Sequence, residues 1–275
     1  MRTVTLALLA GFTLGVVAPA HSADLDYGVL RGADYEPEVQ VIDWNGVYFG
    51  GHAGYTSTDF NFGKAGRTDL EQALRSTTIE QEFKISQSNT LRPGVGHGLS
   101  FGGFAGYNFQ FDEAVVGFEV DYTSLNQKSL SSDSIGRRLV YNDGTYASYF
   151  VSTNSRAALQ DYATIRGRGG VVLGSFLPYF TGGFAIGRAH VGSDVFVSVS
   201  EFQDALQTVP LGGLTRSGGT VKERYALGGT LGAGIDYAVT QNIFLRAEYQ
   251  YVWFAQFGDH KMSLSTFRSA LGVKF

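Results

Sequence analysis

The sequence predicts an all-β fold: an eight-stranded antiparallel transmembrane β-barrel in up-and-down meander order. Three observations lead there. Eight segments alternate apolar residues with small or polar ones over ten or more positions, the pattern of a membrane-spanning strand. The links between them alternate strictly between short and long. An export signal stands at the N-terminus, and every later apolar run is broken by charge, glycine or polar residues.

Composition agrees. The 275 residues include 37 glycines, 21 phenylalanines and 15 tyrosines, but charged residues make up only 17%. Average soluble domains carry roughly 25% charge and about 7% glycine. A disordered chain would lack so many aromatics. With no cysteine, a disulfide scaffold and a cysteine-ligated metal are excluded. A net charge of −4 leaves no basic footprint for nucleic acid.

Met1-Arg2 gives a short positive region, followed by an apolar stretch from about Val4 to Val17. Small residues close it at Ala18-Pro19-Ala20-His21-Ser22-Ala23. This is the layout of a secretory signal peptide over 1–23, with cleavage within 20–23. An uncleaved anchor helix is the alternative, but the run is shorter than the ~20 residues a span requires.

The strands follow in chain order. In 46–57, Val47, Phe49, Ala53 and Tyr55 oppose Tyr48, Gly50, His52 and Gly54. In 97–110, Phe101, Ala105, Tyr107 and Phe109 oppose Ser100, Gly102, Gly106 and Asn108. In 115–124, Val116, Phe118, Val120 and Tyr122 oppose Glu119 and Asp121. In 161–173, Ala163, Ile165, Val171 and Leu173 oppose Thr164, Arg166 and Arg168. In 178–190, Phe180, Phe184 and Ile186 mark the apolar side. In 223–238, Tyr225, Leu227, Leu231, Ala233, Ile235 and Tyr237 oppose Arg224, Thr230 and Asp236. In 242–254, Ile243, Leu245, Ala247, Tyr249, Tyr251 and Trp253 oppose Arg246, Glu248 and Gln250. At the C-terminus, Phe267, Leu271, Val273 and Phe275 oppose Arg268, Ala270 and Lys274.

A soluble sandwich would also alternate, so the links decide. Three are short: 110–113, 174–177 and 239–241. Four are long and polar: about 58–96, 125–160, 191–222 and 255–263. A barrel with short periplasmic turns and long extracellular loops requires that order. An even strand count places both termini in the periplasm. Closure is obligatory, because no backbone group goes unpaired in lipid. Eight strands leave a bore about wide enough for side chains to fill.

Specific residues then look familiar. Asp43-Trp44-Asn45-Gly46-Val47-Tyr48-Phe49-Gly50-Gly51-His52-Ala53-Gly54-Tyr55 resembles the opening strand of the small eight-stranded outer-membrane barrels. These are grouped as opacity-like or "porin family" surface antigens of alphaproteobacteria. Gly102-Gly103-Phe104-Ala105-Gly106-Tyr107-Asn108, Val116-Gly117-Phe118-Glu119-Val120-Asp121, Pro178-Tyr179-Phe180-Thr181-Gly182-Gly183 and Leu245-Arg246-Ala247-Glu248-Tyr249 continue the likeness in order over 44–275. It implies a surface-exposed protein of the Gram-negative outer membrane. It also implies that Phe275 serves as the signal read by the barrel-assembly machinery. Some members of the family are described as porins and others as hemin binders.

Strand parity turns Glu119, Asp121, Arg166, Arg168, Arg246, Glu248 and Arg268 toward the lumen. All lie about four to seven residues up from the periplasmic ends. Such a layer is either a charged constriction that selects ions or a structural salt-bridge plug. A plug is expected, given the narrow bore and the planar fork of arginine. His97, His190 and His260 fall at the outer rim and are candidate hemin contacts, since imidazole ligates heme iron. Scattered surface histidine is the plainer reading. No nucleophile motif is found, so no enzyme activity is expected. The glycine clusters lie in strands without a following helix and do not form a phosphate loop. No metal site and no cofactor are predicted.

Residues 24–43 form an acidic periplasmic extension. Residues 69–84 carry Leu70, Ala73 and Leu74 and predict a short helix. Residues 193–209 alternate Val195, Val197 and Val199 and predict a hairpin extending above the membrane. The expected role is structural, supporting the envelope, with loops open to an external ligand. A small passive porin and hemin binding are the alternatives. Expected partners are outer-membrane lipid and lipopolysaccharide, with no nucleic acid.

Overall fold

The computed structural model describes residues 42–257 and 260–275. The predicted signal peptide and most of the acidic extension lie outside them. Eight strands close into one antiparallel barrel in sequence order. They are β1 (Gly46–Asn61), β2 (Gly94–Phe111), β3 (Ala114–Val140), β4 (Tyr146–Val171), β5 (Phe176–Phe202), β6 (Pro210–Ala238), β7 (Ile243–Phe257) and β8 (His260–Lys274). β1 pairs with β8 from Tyr48↔Lys274 to Asn61↔Lys261, which completes the ring.

The outward positions match the alternation. Phe101, Phe118, Ile165, Phe180, Phe184, Leu231, Tyr249 and Phe267 are all exposed on the barrel wall. That wall has no polar complement, and lipid is the solvent it suits.

The strands differ in length in a way the alternation did not foretell. β3, β4, β5 and β6 run 27, 26, 27 and 29 residues, against 15 to 18 for the other four. The segments 125–160 and 191–222, expected as long loops, are the upper halves of two long hairpins; the hairpin expected over 193–209 forms, with β5 running to Phe202 and β6 starting at Pro210. Only 141–145 and 203–209 remain as connections at their tips. The described residues of 255–263 are likewise strand, with Phe257 paired to His260. The continuation is driven by inward apolar residues: Tyr149, Val151, Val195, Val197 and Val199 are all buried. A register shift between Leu159 and Asp161 marks a bulge, and a bulge re-aims the side chains that follow it. Even residues face inward below it (Tyr162, Thr164, Arg166, Arg168) and odd ones above (Leu159, Ala157, Ser155, Thr153).

What covers those inward residues is the first long loop. It folds as α1 (Arg67–Ala73), α2 (Thr78–Phe83) and a single 3-10 turn at Ile85–Gln87. The helix expected over 69–84 therefore forms in two pieces. Leu70, Leu74, Ile79 and Ile85 pack onto Tyr141, Ala147, Tyr149, Val151, Val195, Val197 and Val199. The loop is also tied by polar contacts. Asp69 accepts from the Thr220 hydroxyl at 2.8 Å and from the Ser193 hydroxyl. Arg216 donates to the carbonyl of Ala73 at 2.6 Å.

Glycine has a definite job in the wall. Gly272 lies beneath the ring of Phe244, where a Cβ would collide with the ring carbons. Gly106 likewise lies beneath Tyr48. A bare glycine lets an inward ring lie flat across the neighbouring strand. Overpacking of this kind typically costs about 1–3 kcal/mol. We expect Gly272→Val to lower the fraction of protein reaching the heat-modifiable folded form on gels. Ser269→Val, on the exposed face of the same strand, should leave that fraction unchanged.

Candidate functional site: the charged layer in the bore

The barrel interior is filled in layers. At the periplasmic end, Ile42, Trp44, Tyr48, Phe104, Val115, Leu177, Ala238, Phe244 and Ala270 form an apolar floor. Trp44 is 1% exposed, and its backbone N–H donates to the Gln110 side chain at 2.6 Å. Tyr48, Phe104 and Phe244 pack edge-on and tilted, with centroids about 6 Å apart.

The charged layer lies directly above. All seven predicted residues are buried within it: Glu119, Asp121, Arg166, Arg168, Arg246, Glu248 and Arg268. Each comes from an adjacent strand pair set by the register. Glu119 lies opposite Arg166, and Glu248 opposite Arg268. The side chains then reach across the bore. Arg246 grips Asp236 through two bonds of 2.8 and 3.0 Å and donates to Glu119 at 2.6 Å. Arg168 donates to Asp236 at 2.8 Å. Arg166 bridges Glu119 and Glu248. Arg268 bridges Asp121 and Glu248, both at 2.8 Å.

Four groups in this layer were not assigned to it from sequence. Asp236 has the right parity and pairs in register with Arg246, which was the available signal. With it, four carboxylates face four guanidiniums and the layer is formally neutral. His52 sits 3.0 Å from Asp121. Tyr48 donates to Glu119 at 3.0 Å, and Tyr179 donates to Glu248 at 2.6 Å. From sequence, Tyr48 stands only on the face opposite Val47 and Phe49, and Tyr179 only within the family-like segment Pro178–Gly183. Aromatic rings also cover the cations: Arg168 lies 4.0 Å from the Tyr179 centroid, and Arg246 lies 4.4 Å from that of Phe104. Buried charges survive only when paired and hydrogen-bonded, and this layer meets that condition nearly throughout.

Above the charges come polar bridges. Thr56 contacts both Ser100 and Thr266 at 2.9 Å, and Tyr162 donates to Gln250 at 3.0 Å. A second apolar layer follows, with Phe60, Phe62, Leu91, Leu159, Val252, Phe254, Met262 and Leu264. The helices of the first loop close the top.

The three candidate hemin-contacting histidines do not converge. His97 is exposed on β2 and stacks on Tyr55. His190 faces outward on β5, 3.5 Å from Glu223. His260 is buried at the start of β8, with Ser155 at 3.1 Å and the Phe62 ring edge-on. Strand parity separates them: two lie outside, three strands apart around the ring, and one lies inside. Phe275 closes the C-terminal strand, with its backbone N–H bonded to Val47 and its ring stacked on Phe49.

Removing one arginine leaves its carboxylates buried and unpaired. Breaking a buried pair in that way costs about 3–5 kcal/mol. We expect Arg166→Ala and Arg168→Ala each to lower the urea midpoint of unfolding, and the double variant to lower it further. Unchanged midpoints would show that these side chains do not face the bore.

Comparison with known proteins adds a family. The profile described as "Outer membrane protein beta-barrel domain" matches residues 5–275. The 31 kDa outer-membrane immunogenic protein of Brucella melitensis is 27% identical over 287 aligned residues, covering 100% of both chains. The 22 kDa outer membrane protein of Rhizobium leguminosarum is 26% identical over 65% of this chain and 68% of its own. Among solved structures, Neisserial surface protein A is similar at 13% identity, with a TM-score of 0.34 over 83% of this chain and 97% of that one.

Proposed function

This chain belongs to the outer membrane protein beta-barrel domain family, and on that premise we propose that it is a closed, non-conducting barrel. It lies in the outer membrane of a Gram-negative bacterium, as its immunogenic and outer-membrane relatives do. Its role in this reading is structural and surface-directed: it anchors a rigid extracellular projection and contributes to envelope integrity. Outer-leaflet lipid and lipopolysaccharide are the partners of its apolar wall.

One observation carries the reading. The bore is filled from floor to mouth by apolar, charged, polar and apolar layers in turn, and the first loop is packed over them. A selective constriction would leave charged groups partly free to exchange their partners with a passing ion. Here Arg166, Glu119, Asp121, Glu248 and Arg268 are each about 1% exposed and bonded to one another. Desolvating an ion while breaking those pairs would be prohibitive. The chain is also read as a non-enzyme. Ser155 lies near His260, but it is 2% exposed and its hydroxyl also reaches the Gly192 carbonyl. It is packed rather than presented to a substrate.

Single-channel recording in a planar bilayer is the test. Refolded protein, with folding verified by gel shift, should give no reproducible conductance steps. Steady steps of one size would overturn the closed barrel and establish a small porin.

A further inference from the structure

The two long hairpins form a four-stranded sheet that stands above the membrane wall. Such a sheet has two edges, and they are treated differently. On the β3 side, β2 pairs only up to Leu125. Beyond that point the first loop returns along the edge. The Thr90 N–H donates to the Asp133 carboxylate at 2.9 Å, and the Ser131 hydroxyl donates to the Arg92 carbonyl at 2.8 Å. That edge is covered.

The β6 edge is not. β7 joins β6 only between Gly228 and Ala238. Residues 212–227 pair with β5 on one side and, among the described residues, with no strand on the other. They are exposed almost throughout. An open edge offers a row of unpaired backbone donors and acceptors, and it is the natural template for an added strand.

The side chains beside this edge carry a charge. Lys222 and Arg224 project to the inner side, where they line a cleft of about 180 Å³ with Asp69, Ser193, Thr220 and His260. Neither has an ion-pair partner among the described residues. The acids on neighbouring strands are committed elsewhere: Asp161 to Arg188, Asp194 to Arg156 and Glu223 to His190. A strand laid along β6 would direct every second side chain toward the two cations. A second copy of this chain would bring a like-charged row to meet them, which disfavours self-pairing.

We propose that the free edge of β6 over 212–227 takes an extended acidic peptide segment as an added strand, with its carboxylates directed at Lys222 and Arg224. The inference extends the surface role proposed above and stands or falls independently of conductance.

The test uses the full chain refolded in nanodiscs and a labelled ten-residue peptide alternating threonine and glutamate. Binding should slow amide exchange in 212–227 tenfold or more and leave the tips at 141–145 unaffected. Lys222→Glu with Arg224→Glu, both exposed and outside the packed core, should weaken binding at least tenfold while heat-modifiability is retained. The same peptide with alternate backbone nitrogens methylated should not bind. Equal binding of the methylated peptide would reduce the effect to charge alone and overturn the added strand. Absence of protection in 212–227 would overturn it too. So would concentration-dependent protection without peptide, which would assign the edge to a second copy.

Discussion

The buried exchange of charge between four arginines and four carboxylates is the interaction on which the rest of this barrel depends. Ions removed from water must find partners, and the partners here come from β3, β4, β6, β7 and β8. That requirement fixes the diameter, because a wider ring would carry the guanidiniums out of reach. It also fixes the register, because a one-residue slip would turn every inward charge toward lipid. The tyrosines complete the arrangement. Tyr48 and Tyr179 supply hydroxyl donors to Glu119 and Glu248 and lay their rings against Arg168. Glycine on the neighbouring strand, Gly106 beside Tyr48 and Gly234 beside Tyr179, makes room for those rings.

Above the charged layer the logic changes from electrostatic to apolar. The long hairpins carry inward valines and tyrosines with no opposing wall, since β1, β2, β7 and β8 stop lower down. The first loop supplies that wall. Its two short helices would be marginal on their own, and they hold because Leu70, Leu74, Ile79 and Ile85 find the valine face. The projection is thus a sheet with a helical lining, and the same loop seals both the bore and the sheet. Its asymmetry leaves one edge covered and one open.

The membrane wall was legible from alternation alone, because period-two patterning is strongest where one face meets lipid and the other a packed bore. All seven charges of the predicted layer lie where parity put them. The hairpin extensions were less legible. Val195, Val197 and Val199 marked the second hairpin, but in the first the outward face mixes Ser132, Ser134, Ser148, Ser152 and Asn154 with Leu130 and Phe150, so it reads as a loop even though Val151, Tyr149 and Ala147 alternate inward. The bulge between Leu159 and Asp161 shifted the parity where the reading of β4 stopped. Asp236 escaped the layer although its face was correct, because its membership depends on a cross-strand neighbour. The rim histidines were placed only by their nearness to the strand ends; strand parity and position around the ring set His97 and His190 outside and His260 inside.

A double-mutant cycle between Arg268 and Asp121 tests the central claim most directly. Their side chains meet at 2.8 Å with both groups about 1% exposed. Unfolding free energies of Arg268→Met, Asp121→Asn and the pair together, measured in urea, yield the coupling. Groups in one buried network couple by about 0.5–3 kcal/mol, and a value in the upper half of that range is predicted. A coupling indistinguishable from zero, with both single variants folded, would contradict a barrel organised around its buried charges.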